Sequence, residues 1–211
     1  EVLRNASGAA TFVNLTRRLN YGISAFHYSG DFYDTRTFPY FEQRSGASVL
    51  LSYPLSKFRR IETSLAIAYA ETDRSSIGFS RKGAVGTHLV SYVQDNTLWL
   101  PTGPIDGRRF NLTAGLTMNL NRGVEENTVL ICDYRRYLRV GQRSAYAIRL
   151  HARWSEGDNP QFYWIGGSLG MRTYDRRAIS GKRTLMLNQE VRFPLMRGLI
   201  FGLPMGNLEL P

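Results

Sequence analysis

At 211 residues, with 43% hydrophobic and 21% charged residues, the chain suits one folded domain or a large piece of one and is too apolar for a disordered tail. Its 27 basic against 17 acidic residues give a net charge of +10, which suggests an anionic partner: nucleic acid, lipopolysaccharide or phospholipid headgroups, or acidic protein segments. A single cysteine, Cys132, excludes an internal disulfide and a cysteine-based metal centre; the histidines His27, His88 and His151 are far apart and lack ligand spacing, so no metal or cofactor is expected.

No run of about 18 apolar residues occurs, which excludes a transmembrane helix. The abrupt start at Glu1 and end at Pro211 lead us to expect a fragment of a longer protein.

Taken in order, the chain alternates with period two, and helical periodicity is hard to find. Runs at Ala10 to Arg17, Asn20 to Ser29 and Ser45 to Tyr53 predict the first strands. Arg60 to Glu71 is clearer: Ile61, Thr63, Leu65, Ile67 and Tyr69 oppose Glu62, Ser64, Ala66, Ala68 and Ala70. Thr87 to Leu98 follows, then Arg108 to Asn119, with Phe110, Leu112, Ala114, Leu116 and Met118 on one side. After Asn127 to Leu138 comes Ser144 to Trp154, where Tyr146, Ile148, Leu150, Ala152 and Trp154 face away from Ala147, Arg149, His151 and Arg153. Arg183 to Pro194 completes a set of about nine strands, placing Glu190 and Arg192 on one face and Leu187, Val191 and Phe193 on the other.

Several of these runs reach the roughly 9 to 11 residues that a tilted strand needs to cross a bilayer, against five or six in soluble sheets. The links alternate between long (Gly30 to Arg44, Thr72 to Gly86, Ser155 to Lys182) and short (Pro54 to Arg59, Arg139 to Gln142), as antiparallel outer-membrane strands do. Aromatics near strand ends, Tyr53, Tyr69, Trp99, Tyr137, Trp154 and Phe193, fit interfacial girdles. The expected fold is therefore all-β, an antiparallel transmembrane β-barrel with an apolar lipid face and a polar lumen lined by Arg149, His151, Arg153 and Arg192.

The stretch from Trp164 to Leu195 is the most distinctive: a glycine-broken, arginine-rich loop that leads into a strand carrying an acid. If the loop folds back on that strand, Arg172 can meet Glu190 in a two-toothed, buried pair; the alternative is a solvated loop.

Residues 155–195 resemble the bacterial surface-antigen superfamily of outer-membrane barrels, the barrel-assembly group of BamA type and the two-partner secretion transporters. The match lies in Gly166-Gly167 followed by Met171-Arg172-Thr173-Tyr174, and in Gln189-Glu190-Val191-Arg192-Phe193-Pro194-Leu195. Upstream, Tyr92 to Leu112 resembles the family's strand–turn–strand around Pro-Thr-Gly, and Arg17 to Phe26 resembles barrels fused behind a TolB-like propeller. The resemblance implies a sixteen-stranded barrel of which this chain, residues 1–211, is one incomplete part, with the first and last strands missing. It implies that 155–182 is a long extracellular loop folding into the lumen, turned at Gly166 and Gly167 and anchored by Arg172 on Glu190 with Tyr174 beside them. Thr173 replaces the family's glycine, a position where positive φ would strain a β-branched residue.

The resemblance further implies an outer-membrane location in a Gram-negative-type bacterium. The expected partners are membrane lipid and lipopolysaccharide, unfolded or translocating client proteins, and periplasmic or accessory subunits. Insertion or translocation of proteins involves no covalent chemistry, and no nucleophile–base–acid constellation is visible, so an enzyme is not expected. Two other readings stand beside it: a passive pore or structural membrane anchor, and a soluble basic protein binding nucleic acid. The arginine pairs, such as Arg59-Arg60 and Arg135-Arg136, are scattered over strand ends rather than gathered on one face, which argues against nucleic acid.

Overall fold

The computed structural model describes residues 6–33, 39–74, 79–101, 103–168, 170–194, 199–203 and 206–210. These form strands and no helix: β1 (Ser7–Asn14), β2 (Asn20–Tyr33), β3 (Pro39–Ser56), β4 (Arg59–Arg74), β5 (Phe79–Asp95), β6 (Leu98–Leu100), β7 (Gly103–Asn119), β8 (Val124–Arg139), β9 (Ala145–Glu156), β10 (Tyr163–Ile165), β11 (Ile179–Gly181), β12 (Arg183–Arg192), β13 (Leu199–Leu203) and β14 (Gly206–Leu210). The main sheet is antiparallel and keeps chain order, β1-β2-β3-β4-β5-β7-β8-β9-β12, with β6 folded against β7. Two-stranded ladders join β10 to β11 and β13 to β14.

The sheet is open, with β1 and β12 at its two ends among the described residues, so this chain alone does not close a barrel. Each expected run lies mostly in a strand and most of those strands are longer than their alternation suggested, but Ala10 to Arg17 runs past the end of β1 at Asn14, Thr87 to Leu98 past the end of β5 at Asp95, and Arg183 to Pro194 past the end of β12 at Arg192. The expected long link Gly30 to Arg44 is mostly ladder, since β2 pairs with β3 out to Tyr33 and Pro39, and β4 pairs with β5 out to Arg74 and Phe79 across the expected link Thr72 to Gly86. Main-chain pairing continues past the apolar stripe because ladder hydrogen bonds need no particular side chain. The tips at 34–38 and 75–78 lie outside the described residues. The alternation of long and short links is thus corrected: among the described connections only that from β9 to β12 is long. The hairpin β13-β14 lies beyond the last expected strand.

Register decides which side chains share a face. Tyr53, Leu51, Val49 and Ala47 on β3 stand opposite Ile61, Thr63, Leu65 and Ile67 on β4. The row passes through Tyr92 and Val90 on β5 to Leu112 and Ala114 on β7, then Cys132 and Leu130 on β8, Ala152 and Trp154 on β9, and Leu185 on β12. This face is apolar and open: Leu65 is 52% exposed, Ile67 54%, Leu185 72% and Val191 65%. The opposite face carries the charged, polar and small residues together with the most buried apolar ones, Ala68, Val85, Val93, Val129 and Met186. A cavity of about 440 Å³ on that second face touches side chains from β3, β4, β5, β7 and β8 together with Asn159 and Gln161 beyond β9. One cavity can reach that many strands, each about 4.8 Å from the next, only if the sheet curls around this face, which is therefore the inner one.

Turns follow their local chemistry. Asn119 accepts from the backbone N–H groups of Asn121 and Arg122 (3.0 and 3.1 Å), and Gly123 takes φ 68°, closing β7 onto β8. A register shift at Thr117/Met118 bulges Glu126 out of the β8 ladder and turns it inward, where it accepts from Asn119 Nδ2 at 2.9 Å. Tyr137, expected in an aromatic girdle, is 6% exposed on the inner face, because it shares its parity with Asp133 and Arg135.

Candidate functional site

The inner face of β8, β9 and β12 is where the charge gathers. Register sets Arg135 directly opposite Arg149 and Asp133 opposite His151, a like-charge pair that would repel if left alone. Asp133 resolves it. Its Oδ1 accepts from Arg135 Nε (3.0 Å) and Arg149 Nε (3.1 Å), and its Oδ2 from both Nη2 groups at 2.7 Å, so one carboxylate receives two guanidinium forks. Sequence reading missed Asp133; its signal was parity, two residues from Arg135 on one strand.

Along β9, Arg149, His151 and Arg153 project to the same inner side, as alternation predicts. His151 is 8% exposed, its Nε2 accepts from Arg153 Nε at 3.0 Å, and its Nδ1 lies 3.2 Å from Arg153 Nη2 and 3.4 Å from Arg149 Nη2. On β12, Glu190 and Arg192 also face inward. Arg192 sends Nε (3.0 Å) and Nη2 (2.7 Å) to Glu190 Oε2 and lies over the Tyr137 ring at 5.7 Å.

The connection from β9 to β12 folds onto this wall. Its first arm is pinned where Asn159 N–H donates to the Glu126 carbonyl (2.8 Å) and Ser155 Oγ accepts from Gln161 N–H (2.8 Å). The β10-β11 ladder forms a short stalk, and the buried Tyr163 lies beneath Arg153, 5.5 Å from guanidinium to ring centroid. Burial raises the Tyr163 phenol above its ordinary range against the opposing pull of Arg153. Beyond the stalk, Gly166 takes φ 125° and Gly167 φ 83°. A Cβ at Gly166 would come within 2.1 Å of the Asp175 carbonyl oxygen, so no other residue fits this turn unchanged. The tip is knotted by Gly167 N–H to Tyr174 O (3.0 Å) and Tyr174 N–H to Met171 O (3.1 Å).

Two contacts fasten the tip to β12. Arg172 Nη2 donates to Glu190 Oε1 at 3.1 Å, and Asn188 Nδ2 donates to the Gly170 carbonyl at 3.0 Å; Asn188 is a second residue that sequence reading missed. Arg172 and Glu190 are thus brought together, but the geometry differs from the buried, two-toothed pair expected. It is a single bond, and the Arg172 side chain is 71% exposed. The reason is local: Arg192 shares Glu190's face two residues along the strand and occupies Oε2, leaving one oxygen for the loop. Tyr174 is 46% exposed and contributes its backbone to the tip. Thr173 does not take positive φ; the one non-glycine residue that does among those described is Arg177, at 63°.

Among the described residues no group of three His, Cys, Asp or Glu side chains converges as a metal site, and no helix is long and apolar enough to cross a membrane, which says nothing of strands. Compared with known proteins, the chain matches no family model and no curated protein. The arrangement is a curved polar wall, a loop laid on it, and an outer face of exposed apolar side chains.

Proposed function

We propose that the chain is part of an outer-membrane β-barrel, one wall of a non-catalytic machine that inserts or translocates other proteins, with the β9–β12 connection as its internal loop. The observation that carries the membrane placement is the polarity of the two faces. A sheet in water turns its apolar residues inward; here Leu65, Ile67, Leu185, Leu187 and Val191 are all more than half exposed on the outer side. Contiguous apolar surface on this scale needs cover, and lipid is the cover that fits a face repeated over many strands. From Ile61 to Tyr69 the apolar residues of β4 extend about 26 Å along the strand, or about 20 Å across a membrane once tilted, near the height of an outer-membrane barrel's lipid band.

The assembly or translocation role rests on the resemblance around Gly166-Gly167, Arg172 and Glu190 to the surface-antigen superfamily, supported by the loop's position on the inner wall rather than in solvent. Client proteins, lipopolysaccharide and accessory subunits are the partners this role requires. The arginine-rich inner face of β8 and β9 favours a second reading, a passive anion-conducting pore.

The test is reconstitution of the full-length protein in liposomes, with the insertion rate of an unfolded client barrel and the ion conductance measured on the same vesicles. Faster client insertion supports the machine. Steady conductance without acceleration, from correctly folded protein, replaces it with the pore or anchor. Extraction of the full-length protein from cells without detergent would remove the membrane placement itself.

A further inference from the structure

The loop tip does not lie flat on the wall. Beneath it is a cavity of about 200 Å³ whose lining includes Arg135, Arg149 and Arg192 from the wall, Arg172 from the loop, and the side chains of Asn188 and Glu190. Four guanidinium groups thus meet one carboxylate in the lining. Adding Asp133, which sits behind Arg135 and Arg149, still leaves two positive charges in excess. Both carboxylates are already engaged: each Asp133 oxygen takes two donors, and Glu190 takes Arg192 on one oxygen and Arg172 on the other. The arginines are not equally engaged. Each guanidinium has five donors, of which Arg135 and Arg149 commit two apiece to Asp133, and Arg172 commits one to Glu190. Their side chains are 26% to 71% exposed, so a solute in the surrounding water can reach them.

The geometry points to an oxyanion site between loop and wall, one that takes phosphate or the phosphate group of a small phosphorylated molecule and bridges Arg172 of the loop to Arg135, Arg149 and Arg192 of the wall. The excess of two charges matches a phosphate dianion, and planar guanidinium forks match its tetrahedral oxygens. The cavity holds an anion of that size with its water but excludes a folded domain or a nucleic-acid strand. Asn188 supplies a donor at the rim, already turned toward the tip through Gly170. Arg149 also lines an adjoining cavity of about 160 Å³ with His151 and Arg153, so the cationic surface continues along β9 for the remainder of a larger ligand. Occupancy ties the tip more firmly to the wall, because the bridge joins groups that otherwise share a single salt bridge and one hydrogen bond from the Asn188 amide. The site rests on loop-and-wall geometry and holds for a machine and for a pore alike.

The experiment is equilibrium dialysis of radiolabelled inorganic phosphate against the full-length protein in detergent micelles, at low ionic strength. Wild type is expected to show saturable binding, weakened about tenfold or more by Arg135→Gln and by Arg172→Ala, the loss typical of one charge-assisted contact. Arg143→Gln, which lies in the link between β8 and β9, should leave it unchanged. Fold is checked for every variant by heat-modifiable migration on gels. Trypsin digestion after Arg176 and Arg177 should slow when phosphate is present, a change that scattered surface charge would not cause. Replacing phosphate by glycerol 3-phosphate, and by lipid vesicles with phosphate headgroups, separates a free phosphorylated solute from a headgroup as the source. Absence of saturable binding by folded wild type, or equal weakening by Arg143→Gln, would overturn the site.

Discussion

Along β4 the outward residues are Ile61, Thr63, Leu65, Ile67 and Tyr69; along β12 they are Leu185, Leu187, Gln189 and Val191, and on that side the two strands present similar surfaces. Turned inward they differ. β4, β5 and β7 present Ala70, Gly83, Val85, Thr87 and Thr117, small groups around a roomy cavity, whereas β12 with β8 and β9 presents Glu190, Arg192, Arg135, Arg149 and His151 under a folded loop. The outer face is mostly apolar along both strands. The inner face answers to local tasks: one stretch leaves space, the other holds a loop by charge.

That contrast breaks most sharply on the outer face. Leu65→Arg is expected to destabilise the protein in lipid vesicles by about 2 to 4 kcal/mol, the range for a cation on a lipid-facing barrel strand. The adjacent Ser64→Arg, pointing to the inner face, should cost far less. Urea titration in vesicles, read by gel migration, compares the two. In a water-soluble sheet an arginine at the half-exposed Leu65 would be nearly neutral, so equal and small effects for both would refute the lipid face.

The charged inner stretch depends on Asp133. With Asn in its place, Arg135 and Arg149 face each other without a shared acid, and about 2 kcal/mol of stability is expected to go, less than for a dry buried network because the arginine side chains are 26% and 32% exposed. Removing Arg149 as well, as the double variant Asp133→Asn/Arg149→Gln, should recover part of that loss. A double-mutant cycle showing no coupling would mean that the three groups act independently.

Two glycines separate wall from loop. A Cβ at Gly46 would lie 2.3 Å from the Ile67 carbonyl oxygen, so Gly46→Ala strains the β3-β4 ladder and should lower global stability by about 1 to 3 kcal/mol. Gly166→Ala carries a comparable clash together with a positive φ, but its strain of about 1 to 3 kcal/mol falls on the tip. Trypsin should then cleave near Arg176 sooner while the urea midpoint stays put. A shifted midpoint for Gly166→Ala would show that the loop is part of the cooperative unit.

How much of this was legible beforehand depends on which physics each feature obeys. Period-two alternation from Ile61 to Tyr69 and from Tyr146 to Trp154 announced the strands, because one face answers to a single environment. Strand ends were not legible: Ser29-Gly30 and Lys82-Gly83 look like loop sequence, but the backbone ladder runs through them. Arg172 with Glu190 could be anticipated from motif and parity; that Arg192 would occupy the second oxygen of Glu190 could have been read from the same strand's alternation. Nothing in the sequence singles out Arg177, rather than Thr173, for the left-handed conformation, since that choice is made by how the tip closes on itself.

The smallest expected effect on stability is at the contact between Arg172 and Glu190. Arg172→Ala removes one hydrogen bond from a guanidinium that is 71% exposed, and a wet ion pair of this kind contributes about 0.2 to 1 kcal/mol. Global stability should therefore barely move. What should move is the tip, held to β12 afterwards by the Asn188–Gly170 hydrogen bond among the described residues, and hydrogen exchange at Gly167 and Tyr174 reads it directly. Glu190→Gln makes the sharper comparison: it breaks the same salt bridge as Arg172→Ala does, but it also strips Arg192 of its carboxylate. If the pair works as a loop tether, the two variants raise exchange at the tip alike, and Glu190→Gln alone lowers the urea midpoint. Faster exchange in Glu190→Gln with none in Arg172→Ala would relocate the tether to Arg192 and β12 itself, and would leave Arg172 to the oxyanion rather than to the acid.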